Sequence, residues 1–218
     1  MTDHRPRSDH PVVSARSGAA VLLVAGLLFL LYPALRPWGD VVPGLPAAPA
    51  YADPMWPIAH FAGAIGFLLL PVGLLAVREV IGGKLATVAL ATTWLGAGLV
   101  LPFFGAEAFG LHVVGVEVVE SGDLGLLGLV DAIRNGPLQM TSFGVGLMLL
   151  AVGPVLAGFA VWRSRVLPRG SSLLFAAAFA LYLPQFFGPP AVRIAHGALV
   201  MVGCAALAVA LMRRRSAP

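Results

Sequence analysis

The chain has 218 residues, of which 59% are hydrophobic and 11% charged, with a mean hydropathy of +0.91. Charged residues make up about a quarter of an ordinary soluble domain, so that class is excluded and most of the chain is expected in lipid. The formal charge of +4 would suit nucleic acid, but the basic residues stand at the ends of apolar runs rather than along one face, which points to the lipid bilayer as partner and to no nucleic acid.

Eleven of the fourteen Lys and Arg residues fall into four clusters: Arg5, Arg7 and Arg16; Arg78 and Lys84; Arg163, Arg165 and Arg169; Arg213, Arg214 and Arg215. Basic residues flanking a span resist translocation while carboxylates contribute little to orientation, so all four clusters are assigned to the cytoplasm. Only Arg36, Arg134 and Arg193 fall outside them. Thirteen Arg against one Lys, with abundant Ala, Gly, Val and Pro, is the product of a high-GC genome, and the expected location is a bacterial cytoplasmic membrane.

In chain order, residues 1–17 are polar and lack an apolar period, and are expected to be a disordered cytoplasmic tail. A first span is expected over 18–35. Ala50-Tyr51-Ala52 has the form of a signal cleavage site but lies too far beyond the apolar run, so a retained anchor is expected instead. Residues 36–55, with Pro37, Pro43, Pro46, Pro49 and Pro54, read as an external loop. Further spans are expected over 56–77, 84–103, 137–162, 171–187 and 191–212, each matched to a hydrocarbon core that needs about twenty apolar residues. Residues 104–136 read as an irregular external cap holding one or two short interfacial helices, and 213–218 as a basic cytoplasmic tail. A span through 106–119 would break the charge alternation. The fold expected is therefore all-α: a six-span transmembrane helical bundle, N-in and C-in, forming a single domain over 18–212.

Small residues such as Ala62 and Gly66, Gly96 and Gly98, Gly144 and Gly146, and Gly153 supply close helix approaches. Pro71 and Pro154 are expected to kink their spans. Cys204 stands alone in the last span, so no intrachain disulfide or cysteine metal motif exists, and it reads as a packing residue. Ile58-Ala59-His60 and Ile194-Ala195-His196 repeat a tripeptide near the start of two parallel spans, an echo that chance accounts for better than duplication.

Ionisable groups inside a membrane are costly and face a partner or cavity, so they are the best functional lead. They gather at the outer ends of the spans: His60, His196, Arg193 and Glu107, with Gln139, Thr141, Ser142 and Gln185 near the same level and His112 above. The candidate ligand-binding set is His60, Glu107, Gln139, Arg193 and His196. As a metal site, His60, Glu107 and His196 could hold zinc with an open position for water, making a hydrolase. The two histidines could instead be axial ligands of a haem in a redox protein. Against both stands interhelical hydrogen bonding, with Arg193 paired to Glu107 or reaching headgroups. Glu117, Glu120, Asp123 and Asp131 read as a solvated face. No phosphate loop and no Gly-x-Ser-x-Gly is present, and the polar groups sit too far from the midplane for a transporter site. The function expected is a non-enzymatic membrane protein that binds a ligand, lipid or metal at the outer cluster, with the membrane enzyme as the alternative.

Overall fold

The computed structural model describes residues 11–42 and 46–214. The expected tails fall largely outside them: residues 1–10 and 215–218, including Arg5, Arg7 and Arg215, are not among the described residues, and neither is Pro43. Among the described residues the chain is all-helical. Helix α1 spans Ala15–Leu35, α2 Ala47–Ala52, α3 Met55–Ile81, α4 Lys84–Gly105, α5 His112–Ser121, α6 Leu127–Asn135, α7 Pro137–Ser164, α8 Arg169–Ala180 and α9 Pro190–Arg213.

Six of these close a ring, each packed on its two neighbours in the order α1, α3, α4, α7, α8, α9 and back to α1. Helix starts and stops follow local chemistry. Ser14 caps α1 through its Oγ, which accepts from the Ser17 amide at 3.1 Å, meeting one of the unpaired donors of the first turn. Between α3 and α4 the chain reverses on Gly82 (φ 63°) and Gly83 (φ 87°), a conformation that a Cβ would oppose.

Among the described residues five helices are long and apolar enough to cross a membrane, and the chain is a multi-pass membrane protein on that ground. The segment expected as a span over 171–187 does not reach that length. Its α-helix has 12 residues, about 18 Å at 1.5 Å per residue, against a hydrocarbon core of about 30 Å. Pro184 is the reason: with no N–H at that position the carbonyl of Ala180 loses its partner, and the chain tightens into a 3-10 turn over Pro184–Phe187. The region 104–136 also departs from expectation. Rather than ending near residue 103, α4 continues through a π-helical turn, Ala106–Leu111, directly into α5. The resulting helical run of 38 residues is about 57 Å long, nearly twice the thickness of the core, so α5 projects beyond it. Helix α2, inside the expected external loop, packs along α5, where Gly115 lies directly against Tyr51. With α6 they form a cap over one end of the ring.

The larger of two buried clusters contains Phe29, Phe67, Phe104, Phe175, Phe179, Tyr182 and leucines from α1, α3, α7 and α9, with Cys204 buried among them, and a smaller one, Tyr51, Trp56, Leu111 and Val130, lies at the cap. Aromatic edges link the larger one, Phe29 to Phe67 at 5.0 Å and Phe67 to Phe104 at 5.1 Å between centroids. Since lipid is as apolar as these side chains, packing contacts rather than water exclusion hold the helices together. Small residues serve that packing at the α4–α7 seam: a Cβ on Gly96 would lie 2.9 Å from the Gly146 carbonyl oxygen, and one on Gly153 would lie 2.7 Å from the Thr93 amide nitrogen. Gly98 and Gly144, expected to act alike, face open space. Pro71 and Pro154 lie inside helices that run through them without a break. Because the ring alternates in direction, Arg78, Lys84, Arg163, Arg165, Arg169 and Arg213 lie at the end opposite the cap, and the exceptions Arg36, Arg134 and Arg193 lie at the cap end.

Candidate functional site

Those three exceptions converge. Arg36 is the C-cap of α1, Arg134 ends α6 and Arg193 begins α9, and all three line one cleft of about 190 Å³ with Asp40, His60 and Glu107. Tyr32, Phe103, Phe104, Phe143 and Phe186 supply its apolar walls.

Glu107 is the centre. The π turn that carries it inserts an extra residue per turn, a device often found at functional sites, and directs Glu107, Ala108 and Leu111 inward. Its carboxylate receives a fork from Arg134, Nε to Oε1 at 2.6 Å and Nη2 to Oε2 at 2.8 Å, the bidentate geometry in which guanidinium and carboxylate match best. Arg134 also donates to Tyr51 Oη at 3.1 Å and to Asp40 Oδ2 at 3.1 Å. Asp40 Oδ2 accepts a second bond from Arg36 Nη2 at 2.7 Å. Arg36 stacks between two indoles, 4.4 Å from the Trp38 ring centroid and 4.5 Å from that of Trp56, so its charge is held by an anion and by aromatic faces. Burial pulls the Arg134 pKa down, and the hydrogen bonds and charge of Glu107 outweigh it, holding the guanidinium above its ordinary value. Burial raises the Tyr51 phenol above its ordinary value against the opposing charge of Arg134.

His60, 1% exposed, lies one turn inside α3. Its Nδ1 is 2.8 Å from the Trp56 carbonyl, so Nδ1 is the donor, and in the neutral ring Nε2 is an acceptor. Nε2 stands 3.5 Å from Glu107 Oε2. Trp56 in turn donates its indole N–H to the Glu107 carbonyl at 2.7 Å, tying the start of α3 to the π turn. Among the fully buried side-chain atoms of this network, Asp40 Oδ1 has no hydrogen-bond partner among the described residues, on a side chain that is 0% exposed.

The expected residues divide. His60, Glu107 and Arg193 are brought to the cleft. His196 is not among its lining residues; its Nε2 lies 2.8 Å from the Ala178 carbonyl of α8, and it borders an adjoining pocket with Trp38, Tyr182 and Gln185 that shares Tyr32, Phe186 and Arg193 with the cleft. The repeated tripeptide therefore places two histidines that use different ring nitrogens on different partners. Among the described residues no group of three or more His, Cys, Asp and Glu side chains is placed to hold a metal ion, so His60, Glu107 and His196 are not assembled as a zinc triad. Gln139 stays outside, reaching the Ala132 carbonyl at 3.4 Å. Glu107 pairs with Arg134, and the expected pairing with Arg193 is corrected; Arg193 donates to the carbonyls of Phe186 at 2.7 Å and Gly188 at 3.2 Å. His112 Nδ1 meets the Tyr51 carbonyl at 2.8 Å, joining α5 to α2. Glu117, Glu120, Asp123 and Asp131 are exposed. Sequence reasoning missed Arg36, Asp40, Tyr51, Trp56 and Arg134; the signal that could have found three partners together was that Arg36, Arg134 and Arg193 alone stand outside the basic clusters.

No protein-family model matches this sequence, and no curated protein or solved structure matches it either.

Proposed function

We propose that this chain is a membrane protein of a bacterial cytoplasmic membrane that binds a small polar ligand in the cleft beneath its cap and does not transform it. In this reading the basic end of the ring lies in the cytoplasm, the cap lies outside, and α8 with its 3-10 extension completes six crossing elements. The observation that carries the ligand reading is that the ionic network lines a cleft of about 190 Å³ in which Arg193, among the described residues, has no carboxylate partner. Charges used only to join helices would gain most by excluding space between them. The separation of His196 from His60 and Glu107 supports this reading over a zinc hydrolase or a haem protein built on those three residues.

Thermal denaturation of the protein in mild detergent, screened against small anions, amines and polyols, tests it. A ligand present at a hundred times its Kd adds about 2.7 kcal/mol of stability, and His60→Phe is expected to abolish that gain. Silence across the whole panel would refute ligand binding, and a metal bound near one per chain and lost in His60→Ala would favour the enzyme alternative. Orientation is checked with single cysteines in a Cys204→Ser background: Ser121→Cys should react with an impermeant maleimide in intact cells, and Gly170→Cys only after the membrane is opened.

A further inference from the structure

We infer that the ligand of this cleft is a small anion bearing hydroxyl groups, of the glycerol phosphate class, free or as a lipid headgroup; the inference rests on the ligand-binding reading above. Two independent mismatches in the cleft define what it lacks.

The first is charge. Arg36 faces Asp40 at 2.7 Å, and Arg134 faces Glu107 at 2.6 Å and Asp40 at 3.1 Å, so two guanidiniums and two carboxylates cancel. Arg193 is the third cation of the cleft, and among the described residues it forms no ion pair with a carboxylate. It is held in place by two backbone carbonyls and by the rings of Trp38, 5.4 Å away, and Phe186, 5.5 Å away. The cleft is therefore one positive charge in excess, at a half-buried side chain whose guanidinium can offer a fork to an anion.

The second is hydrogen bonding. Asp40 Oδ1 is buried and has no donor among the described residues. His60 Nε2, with its ring proton committed to the Trp56 carbonyl, faces Glu107 Oε2 at 3.5 Å, an acceptor set against an acceptor and too long for a direct bond. Buried acceptors without donors cost free energy that a ligand can recover. A metal ion or an amine would satisfy these acceptors only by adding positive charge where the balance is already positive. Hydroxyl groups supply the donors without charge, and a phosphate or carboxylate on the same molecule answers Arg193. Size agrees: a cavity of about 150 Å³ holds a six-carbon ring, so 190 Å³ takes a short hydroxylated phosphate ester.

The test titrates the full chain, purified in mild detergent, with sn-glycerol 3-phosphate, inorganic phosphate, glycerol and ethanolamine, reading intrinsic fluorescence, to which Trp38 and Trp56 contribute as two of the four tryptophans. In parallel the protein is placed in nanodiscs of phosphatidylglycerol or phosphatidylcholine and retained lipid is counted by native mass spectrometry. Glycerol phosphate is expected to bind at least about tenfold more tightly than phosphate or glycerol alone, the worth of one charge-assisted hydrogen bond. Arg193→Gln, which leaves no carboxylate unpaired, should weaken it by a similar factor and lower the melting temperature less than Arg134→Gln does. Selective retention of phosphatidylglycerol without binding of the free ester supports the class and assigns the headgroup as its source. Equal binding of phosphate and glycerol phosphate overturns the inference, as does preference for ethanolamine, and in both cases ligand binding itself stands. No binding by any of these probes, in detergent or nanodisc, together with silence in the wider thermal panel, overturns both. The comparison of probes on the unaltered protein keeps the test decisive if Arg193→Gln fails to fold.

Discussion

Replacing Arg134 by Gln removes the side chain that, among the described residues, joins the cap to the ring by charge. Its guanidinium makes four bonds, to Glu107 Oε1 and Oε2, to Tyr51 Oη and to Asp40 Oδ2, between 2.6 and 3.1 Å. Added separately at about 1.5–3 kcal/mol for a charged bond they would exceed the cost of breaking a whole buried pair, about 3–5 kcal/mol, so the bonds are not independent. The Arg134 side chain is also 21% exposed, and water entering the vacated space would restore part of the solvation of Glu107. The lower part of that range, about 3 kcal/mol, is the expected loss. Two unit charges 4 Å apart at an effective dielectric of 20 interact by about 4 kcal/mol, which is consistent. The loss should be local. Hydrogen exchange in detergent should rise over α2, α5 and α6, while the ring helices keep their protection. A cycle with Glu107→Gln measures the coupling directly, and the double variant should cost at least about 2 kcal/mol less than the sum of the singles. Additive losses, or an Arg134→Gln cost below about 1 kcal/mol as for an exposed pair, would refute the account of this pair as the clasp of the cap.

Other consequences are separable. Gly153→Ala should cost about 1–3 kcal/mol by forcing α4 from α7, because a Cβ there would lie 2.7 Å from the Thr93 amide nitrogen; Gly144→Ala, with nothing within 4 Å, should be close to neutral in the same unfolding assay. Trp56→Phe keeps an aromatic ring but leaves the buried Glu107 carbonyl without the 2.7 Å indole bond, and should lower stability by about 1–3 kcal/mol; an unchanged midpoint would show that water replaces the indole. Tyr51→Phe should be less stable than the parent near neutral pH. A raised folded-state pKa gives stability that is present below the unfolded value and lost as pH rises through the folded one, so with the Tyr51 pKa raised from 10.0 the gap between the two proteins should narrow as pH climbs above 10, and a gap that widens would contradict it.

The ring was largely readable because hydropathy and cationic ends report directly on membrane immersion. The exceptions have specific causes. In α8 the apolar run continues to Phe187, but apolarity says nothing about whether Ala180 keeps a backbone partner, and Pro184 removes it. Past residue 103 the signals misled in the other direction: Pro102, Gly105, Gly110 and the charge of Glu107 resemble a helix end, yet the π turn absorbs the irregularity and hides the carboxylate. His60 and Glu107 were legible as ionisable groups at the mouth of a span. Their partners were not, because Arg134 lies 27 residues from Glu107 and 94 from Asp40, and no local period encodes such a pairing. His196 shares a depth and a tripeptide with His60, but rotation about the axis of α9, set by packing on α8, turns it to Ala178.

The geometry divides the cleft into two parts that can be altered separately. Arg36, Asp40, Glu107 and Arg134 form a closed charge balance linking residues after α1, the π turn and the end of α6, so removing a member exposes its opposite and acts on stability. Arg193, held by carbonyls and aromatic rings, leaves no buried carboxylate unpaired when it is replaced. If the cleft were only a clasp, Arg134→Gln would loosen the cap and Arg193→Gln would do little of any kind. If it is a binding site, the two must diverge: Arg193→Gln should lower ligand affinity with at most the small loss of melting temperature that its two carbonyl bonds carry, while Arg134→Gln should change melting temperature first and affinity only through the cap. Parallel behaviour of the two variants, both losing stability and affinity in proportion, would mean that the ionic network and the binding surface are one unit and that the division drawn here is wrong.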